Sequence, residues 1–269
     1  MAFAFQLYTD FSGCMDIVIG SSETFGIMLP ENFDTPFFSR SISEYWRRWH
    51  ISLGTWFKDY FFYPILKSNF IQGMQKKLKP KFGKKWSKKI PTYIGMLILW
   101  ITIGLWHGGN YTYLIGSGVL HWFYIVFGEI CSPAFEKIAK TLRLKYESWT
   151  LKIIQMVRTF ILVCIGFIFF RSNTCTQAFT MLKSTFNLKK GLNILGLGLG
   201  RAELLISACS LLLLFVVSLI KTKTNVREFI AKRNILIRYT IWIGLICLIL
   251  VFGYYGIGYD SQAFIYQRF

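Results

Sequence analysis

Five stretches of this chain, at residues 90–107, 112–128, 153–170, 202–220 and 239–257, are apolar almost without interruption and close to or above the length that crosses a bilayer. Such a segment must satisfy its own backbone N–H and C=O groups, because lipid offers no partners, and a helix does so along its whole length. The pattern predicts five spanning helices. Composition agrees: 54% of residues are hydrophobic and 16% charged, and the mean hydropathy of +0.43 lies outside the range of ordinary water-soluble domains.

The formal charge of +18 would suit a nucleic-acid partner, but 20 of the 31 Lys and Arg fall in three blocks between the apolar runs: nine in 67–89, five in 129–152 and six in 221–238. That clustering is what the positive-inside rule expects of cytoplasmic loops beside anionic lipid. The implied partner is the bilayer, with no nucleic acid. With those blocks inside, the 108–111 turn, the 171–201 loop and the C-terminus face outward, although the longer outer loop itself holds five Lys or Arg. The chain is expected to be all-α and integral to the membrane, one embedded domain over 1–269 with about five or six spanning helices. Six cysteines show no C-x-x-C spacing and sit mostly in or beside apolar runs, which predicts small hydrophobes, not disulfides or metal ligands.

Residues 1–29 are apolar overall, yet Thr9, Ser12, Asp16, Gly20 and Glu23 share about one face of a 3.6-period helix. A carboxylate there must face protein or water, because lipid charges several kcal/mol for it; this helix is expected to line an interior, with a surface-lying segment as the alternative. No Lys or Arg precedes Arg40, and Asp10 and Asp16 interrupt the apolar stretch, unlike a cleavable signal peptide. The start resembles the interior of a longer membrane protein.

In residues 29–65, Pro30, Pro36 and Pro64 forbid one continuous spanning helix, so 30–66 is expected to hold short interfacial or re-entrant helices. Ser41 and Glu44 form an S-x-x-E capping box. A helix is expected to open there and run through Tyr45, Trp46, Trp49, Leu53, Trp56 and Phe57, aromatic on one side, with Arg47, Arg48, His50 and Lys58 elsewhere. The segment 67–89 is expected to be a solvated basic cytoplasmic loop.

Only three histidines occur, His50, His107 and His121, all in or beside apolar segments. From Pro91 to His107 a helix would rise about 25 Å, carrying the His107 ring most of the way across the hydrocarbon layer. Gly104, Gly108 and Gly109 flank it, which would permit close approach of a substrate as well as a turn into the next helix. A neutral imidazole can take a proton from a hydroxyl and later return it, as acyl transfer to an alcohol requires. No G-x-S-x-G elbow and no H-E-x-x-H occurs. His121 reads more readily as a satisfied core residue.

The segments "YTDFSGCMDIVIG" (8–20), "LPENFDTPFFSRSISEYWRRWHISLGTWFKDYFFYPI" (29–65), "GLWHGGNYTYLIGSGVLHWF" (104–123), "FFRSNTCTQAF" (169–179) and "FIYQRF" (264–269) resemble, in order, the membrane-bound O-acyltransferases, and among them the alginate and peptidoglycan O-acetyltransferase branch, with the D-alanyl transfer proteins of teichoic acid synthesis as cousins. The resemblance implies His107 of L-W-H-G as catalytic base and His50 of R-W-H-x-S-L as its partner, orienting or polarising a thioester carbonyl. It also implies a tunnel supported by Asp10, Asp16, Trp46, Trp106, Asn110 and His121, with the tryptophans as walls or as ordinary packing. No bound cofactor or metal is expected. The acyl donor would be acetyl-CoA or an acyl-carrier thioester on the cytoplasmic side. The acceptor would be an extracytoplasmic glycan, reached directly or through an SGNH-type acetyltransferase, at the bacterial cytoplasmic membrane. D-alanyl transfer to teichoic acid is the alternative chemistry. Family members usually carry further helices ahead of the D-F-S-G segment, so the chain is expected to correspond to the C-terminal part of the fold, as a fragment or as a short homologue serving as an inactive scaffold.

Overall fold

The computed structural model of the protein describes residues 1–141, 148–186 and 200–253. The F-I-Y-Q-R-F ending, residues 254–257 of the fifth apolar stretch, and parts of the 129–152 and 171–201 segments lie outside them. Regular structure among the described residues is helical apart from one isolated antiparallel bridge, Phe33 to Trp49. The described residues divide into two compact units, one within residues 1–186 and the other within residues 200–253.

The first unit contains α1 (Ala2–Thr24), a 3₁₀ turn (Pro36–Phe38), α2 (Ile42–Arg48), α3 (Ile51–Phe57), α4 (Tyr63–Lys67), α5 (Asn69–Trp106), α6 (Tyr111–Thr141), α7 (Trp149–Arg171) and α8 (Cys175–Thr185). The second contains α9 (Arg201–Lys221), α10 (Val226–Ala231) and α11 (Ile235–Phe252). Among the described residues five helices, α5, α6, α7, α9 and α11, are long and apolar enough to cross a membrane; α6, α7 and α9 contain whole apolar stretches, α5 contains its own up to Trp106 and α11 contains the last up to Phe252. The chain is a multi-pass integral membrane protein.

In the second unit, Asn225 and Asn234 cap α10 and α11, their Oδ1 atoms accepting the Arg227 and Ile237 N–H groups at 3.1 and 2.9 Å. The cap explains why α11 opens at Ile235, four residues before the apolar stretch. Neither α9 nor α11 has a buried residue, so their apolar side chains are left for lipid or for other membrane helices.

Two expectations are corrected in the first unit. Residues 67–89 are helical from Asn69 onward, capped by Ser68, with the helix deflected at Gly83 (φ 70°). Lys, Gln, Met and Leu are good helix formers, and charge density marked this segment as polar without making it a loop. Pro91 therefore lies inside α5 and does not open it. The second correction concerns the helix expected over Ser41–Phe57.

That helix begins as expected. Ser41 Oγ accepts the Glu44 N–H at 3.1 Å, while Glu44 Oε2 reaches back to the Arg40 N–H at 2.8 Å, one residue further than the usual capping box. It stops at Arg48. Trp49 is extended and His50 is left-handed (φ 47°), after which α3 begins. Nothing local demands this, since neither residue is Gly or Pro. The break is imposed from residues 32–34: Asp34 N–H donates to Arg48 C=O at 3.0 Å and Ile51 N–H to Asn32 C=O at 3.1 Å, so backbone groups the broken helix would orphan are paired in a strand-like bracket. Phe33 packs edge-on against both Trp49 (5.0 Å) and Phe11 (5.0 Å), and Trp49 stacks on Tyr45 (5.6 Å). Thr35, the other non-glycine residue at positive φ (44°) among the described residues, presents Oγ1 to Arg48 Nη1 at 3.1 Å.

Helices α5, α6 and α7 meet through glycine. A Cβ at Gly104 would lie 2.9 Å from Leu114 Cα, at Gly118 3.0 Å from the Trp100 carbonyl, at Gly116 2.5 Å from Phe169 Cβ and at Gly166 2.8 Å from His121 Nε2. Without a hydrophobic drive between helices in lipid, such close backbone approach supplies the packing. The first part of α6 winds as a π-helix over Leu114–Val119, and Gly116, Ser117 and Gly118 are all buried there.

Two outcomes are expected. Gly116→Val should cost about 1–3 kcal/mol through overpacking or prevent accumulation, whereas Gly128→Ala, inside α6 where a Cβ meets nothing within 4 Å, should not lower the thermal unfolding temperature in detergent and should raise it slightly. At position 50, His50→Asn, which tolerates the left-handed region, should unfold at a higher temperature than His50→Val, by an amount corresponding to about 1–2 kcal/mol. Equal stability of the two would remove the argument that the backbone is forced there.

Candidate active site around two histidines

The C-terminus of α5 delivers His107. The Gly108 N–H bonds to Leu105 C=O at 3.0 Å and the Gly109 N–H to Gly104 C=O at 3.4 Å, a Schellman closure with both glycines at positive φ (115° and 71°). Asn110 follows, its Nδ2 3.4 Å from the Asn173 carbonyl, tying the turn to the segment before α8. Gly108 and Gly109 thus serve the turn, one of the two uses their position in the sequence suggested, and Gly104 serves contact with α6.

The His107 ring lies in an aromatic surround, with Trp106 at 4.9 Å, Phe170 at 5.3 Å and Tyr113 at 6.3 Å between ring centroids. It retains 9% exposure, while Trp106 beside it is half exposed at 51%.

His50 reaches the same indole, its centroid 6.4 Å from that of Trp106. The backbone break described above is what turns it there. Phe11 of α1 stands perpendicular to it at 4.7 Å, and Phe57 of α3 closes on Trp106 at 6.4 Å. Burial, and secondarily the neighbouring His107, push the His50 imidazole down from the usual 6.5 to about 4. The ring is neutral at pH 7 and able to accept a proton.

The structure sorts the sequence-selected residues into two groups. His107, His50 and Trp106 come together, and Asn110 lies in the turn next to them. His121 and Trp46 do not join them: His121, 2% exposed, is enclosed by Trp46 (4.8 Å), Trp100 (5.6 Å) and Gly166, a core cluster that locks α2 to α5, α6 and α7. Asp10 is part-buried and Asp16 exposed on α1, whose ring contact with His50 is made by Phe11. Sequence reasoning did not single out Asn32, Ser52, Phe11, Tyr113 or Phe170. Asn32, inside the quoted L-P-E-N-F-D stretch, is 5% exposed and hydrogen-bonds His50 and Ser52; no local spacing marks it, because its partners lie 18 and 20 residues away.

Comparison with known proteins gives consistent matches. Residues 1–77 match the model of the membrane-bound O-acyltransferase family. The chain is 33% identical over 187 residues to the probable alginate O-acetylase AlgI of Pseudomonas syringae pv. tomato, covering 70% of this chain and 30% of that protein. It is 30% identical over 188 residues to the peptidoglycan O-acetyltransferase of Helicobacter pylori, covering 70% and 31%, and 36% identical over 171 residues to the teichoic acid D-alanyltransferase of Bacillus subtilis, covering 62% and 39%. The matched part spans about a third of the length of these curated relatives. Over the part that is aligned, the chain belongs to the membrane-bound O-acyltransferase family.

Proposed function

We propose that the protein works as an O-acyltransferase of the bacterial cytoplasmic membrane, moving an acyl group, most simply acetyl, from a cytoplasmic thioester to a hydroxyl of an extracytoplasmic polysaccharide or cell-wall glycan. The observation that carries this reading is the convergence of His50 and His107 on Trp106, two imidazoles at the end of a helix long enough to span the bilayer. The alginate and peptidoglycan O-acetyltransferases among its relatives support the substrate class.

In this reading the hydroxyl oxygen attacks the thioester carbonyl carbon and its proton passes to His107. The carbon–sulfur bond then breaks and the thiolate leaves, to be protonated in turn. Lys-rich residues 67–89 favour an anionic donor such as acetyl-CoA or an acidic acyl-carrier protein. The acceptor is a glycan, reached directly or through an SGNH-type partner. The 36% identity to a teichoic acid D-alanyltransferase supports a second reading, transfer of D-alanine.

The test is chemical analysis of envelope esters in cells expressing the complete gene with His107→Ala, in a background lacking the native copy. Ester content should fall by at least about a hundredfold with the protein at normal level in the membrane. Wild-type ester content would remove the proton-transfer role. Ester-linked alanine in place of acetate would select the second reading, and no ester even with the unmutated gene would favour an inactive scaffold.

A further inference from the structure

Asn32 occupies the bracket that breaks the α2–α3 helix, and it is nearly fully buried, at 5% exposure. Its Oδ1 lies 3.0 Å from Ser52 N, 2.7 Å from Ser52 Oγ and 3.3 Å from His50 Nδ1. The oxygen and nitrogen of an asparagine amide have nearly the same shape, so its orientation must be taken from its partners. Here one partner is decisive: a backbone N–H only donates, so the atom facing Ser52 N is the carbonyl oxygen. That oxygen has no proton to give.

A neutral imidazole carries one proton on one of its two nitrogens. Facing an obligate acceptor, Nδ1 is the nitrogen that carries it; the other tautomer would set two lone pairs against each other at 3.3 Å in a buried site. We propose that Asn32 is a positioning residue that holds His50 as the Nδ1–H tautomer and leaves Nε2 as an unprotonated acceptor. The contact is long for an N–H···O bond, and the ring is oriented jointly by it, by the left-handed backbone at His50 and by Phe11 standing perpendicular to it at 4.7 Å.

The tautomer sets the chemistry open to the ring. An unprotonated Nε2 accepts a proton or a hydrogen bond from a hydroxyl. It cannot donate to a thioester carbonyl, so the polarising role that the sequence resemblance implies for His50 is closed to the neutral ring. The consequence for acyl transfer rests on the reading proposed above; the tautomer does not.

The test uses the protein in lipid bilayers with ¹⁵N,¹³C-labelled histidine. With three histidines in the chain, loss of one signal set in His50→Gln assigns His50. The expected result is an Nδ1–H ring in the unmutated protein and in Asn32→Asp, and an Nε2–H ring in Asn32→Leu. Acyl transfer should fall on the order of a hundredfold in Asn32→Leu. In Asn32→Asp it should be retained, with its pH profile moved upward because the carboxylate raises the basicity of the ring. An Nε2–H ring in the unmutated protein overturns the proposal whatever the activities are, and it decides the matter even if Asn32→Leu does not accumulate. An Nδ1–H ring together with full acyl transfer by His50→Gln would uphold the positioning role and overturn the place of His50 in the catalytic pair.

Discussion

The bracket between residues 32–34 and 48–51 is the constraint on which the site depends. Without it the Ser41–Phe57 sequence, with its N-terminal cap and helix-period aromatics, has every local reason to continue as one helix. Pairing the Asp34 and Ile51 N–H groups across the break makes a left-handed His50 affordable, and the rings of Phe33, Phe11, Tyr45 and Trp49 fix the geometry. A non-glycine residue held at positive φ costs free energy that the surroundings must offset. Here that cost accompanies the placement of an ionisable ring.

The second histidine is positioned by a different device. His107 caps α5, and its place is set by how closely α5, α6 and α7 approach, which the glycines at 104, 116, 118 and 166 control. Close approach at Gly116 in the π-helical stretch of α6 and at Gly166 on α7 accompanies the contacts of Tyr113 and Phe170 with the imidazole. The two devices share Trp106, whose indole contacts both histidines and Phe57. The same close packing encloses His121, so one set of contacts holds both a core histidine and the pair that meets at Trp106.

Much of the architecture was legible in the residues. Five apolar runs gave five long helices, Pro30, Pro36 and Pro64 gave a segment of short ones, and Ser41 with Glu44 gave a helix start, all because these signals act over a few neighbouring residues. What was not legible depends on contacts far apart in the chain. The break at Trp49–His50 needs residues 32–34, and the separation of Trp46 and His121 from the His50 pair needs the packing of α2 on α5 and α6. The glycines around His107 were legible as a turn, which Gly108 and Gly109 make, but not as the contact that Gly104 makes with α6. Asn32 sits in a segment whose prolines and aromatics attracted attention, while its role arises from partners 18 and 20 residues onward. Lysine density at 67–89 reported polarity correctly and secondary structure wrongly, since lysine is a good helix former.

The central proposal is that water reaches His50 and His107, which meet at Trp106, while His121 is sealed in the core. Transfer of magnetisation from water to labelled imidazoles, with the protein in bilayers, measures this directly. The account predicts rapid transfer to His50 and His107 and slow transfer to His121. Rates for His50 and His107 as slow as that of His121 would contradict it.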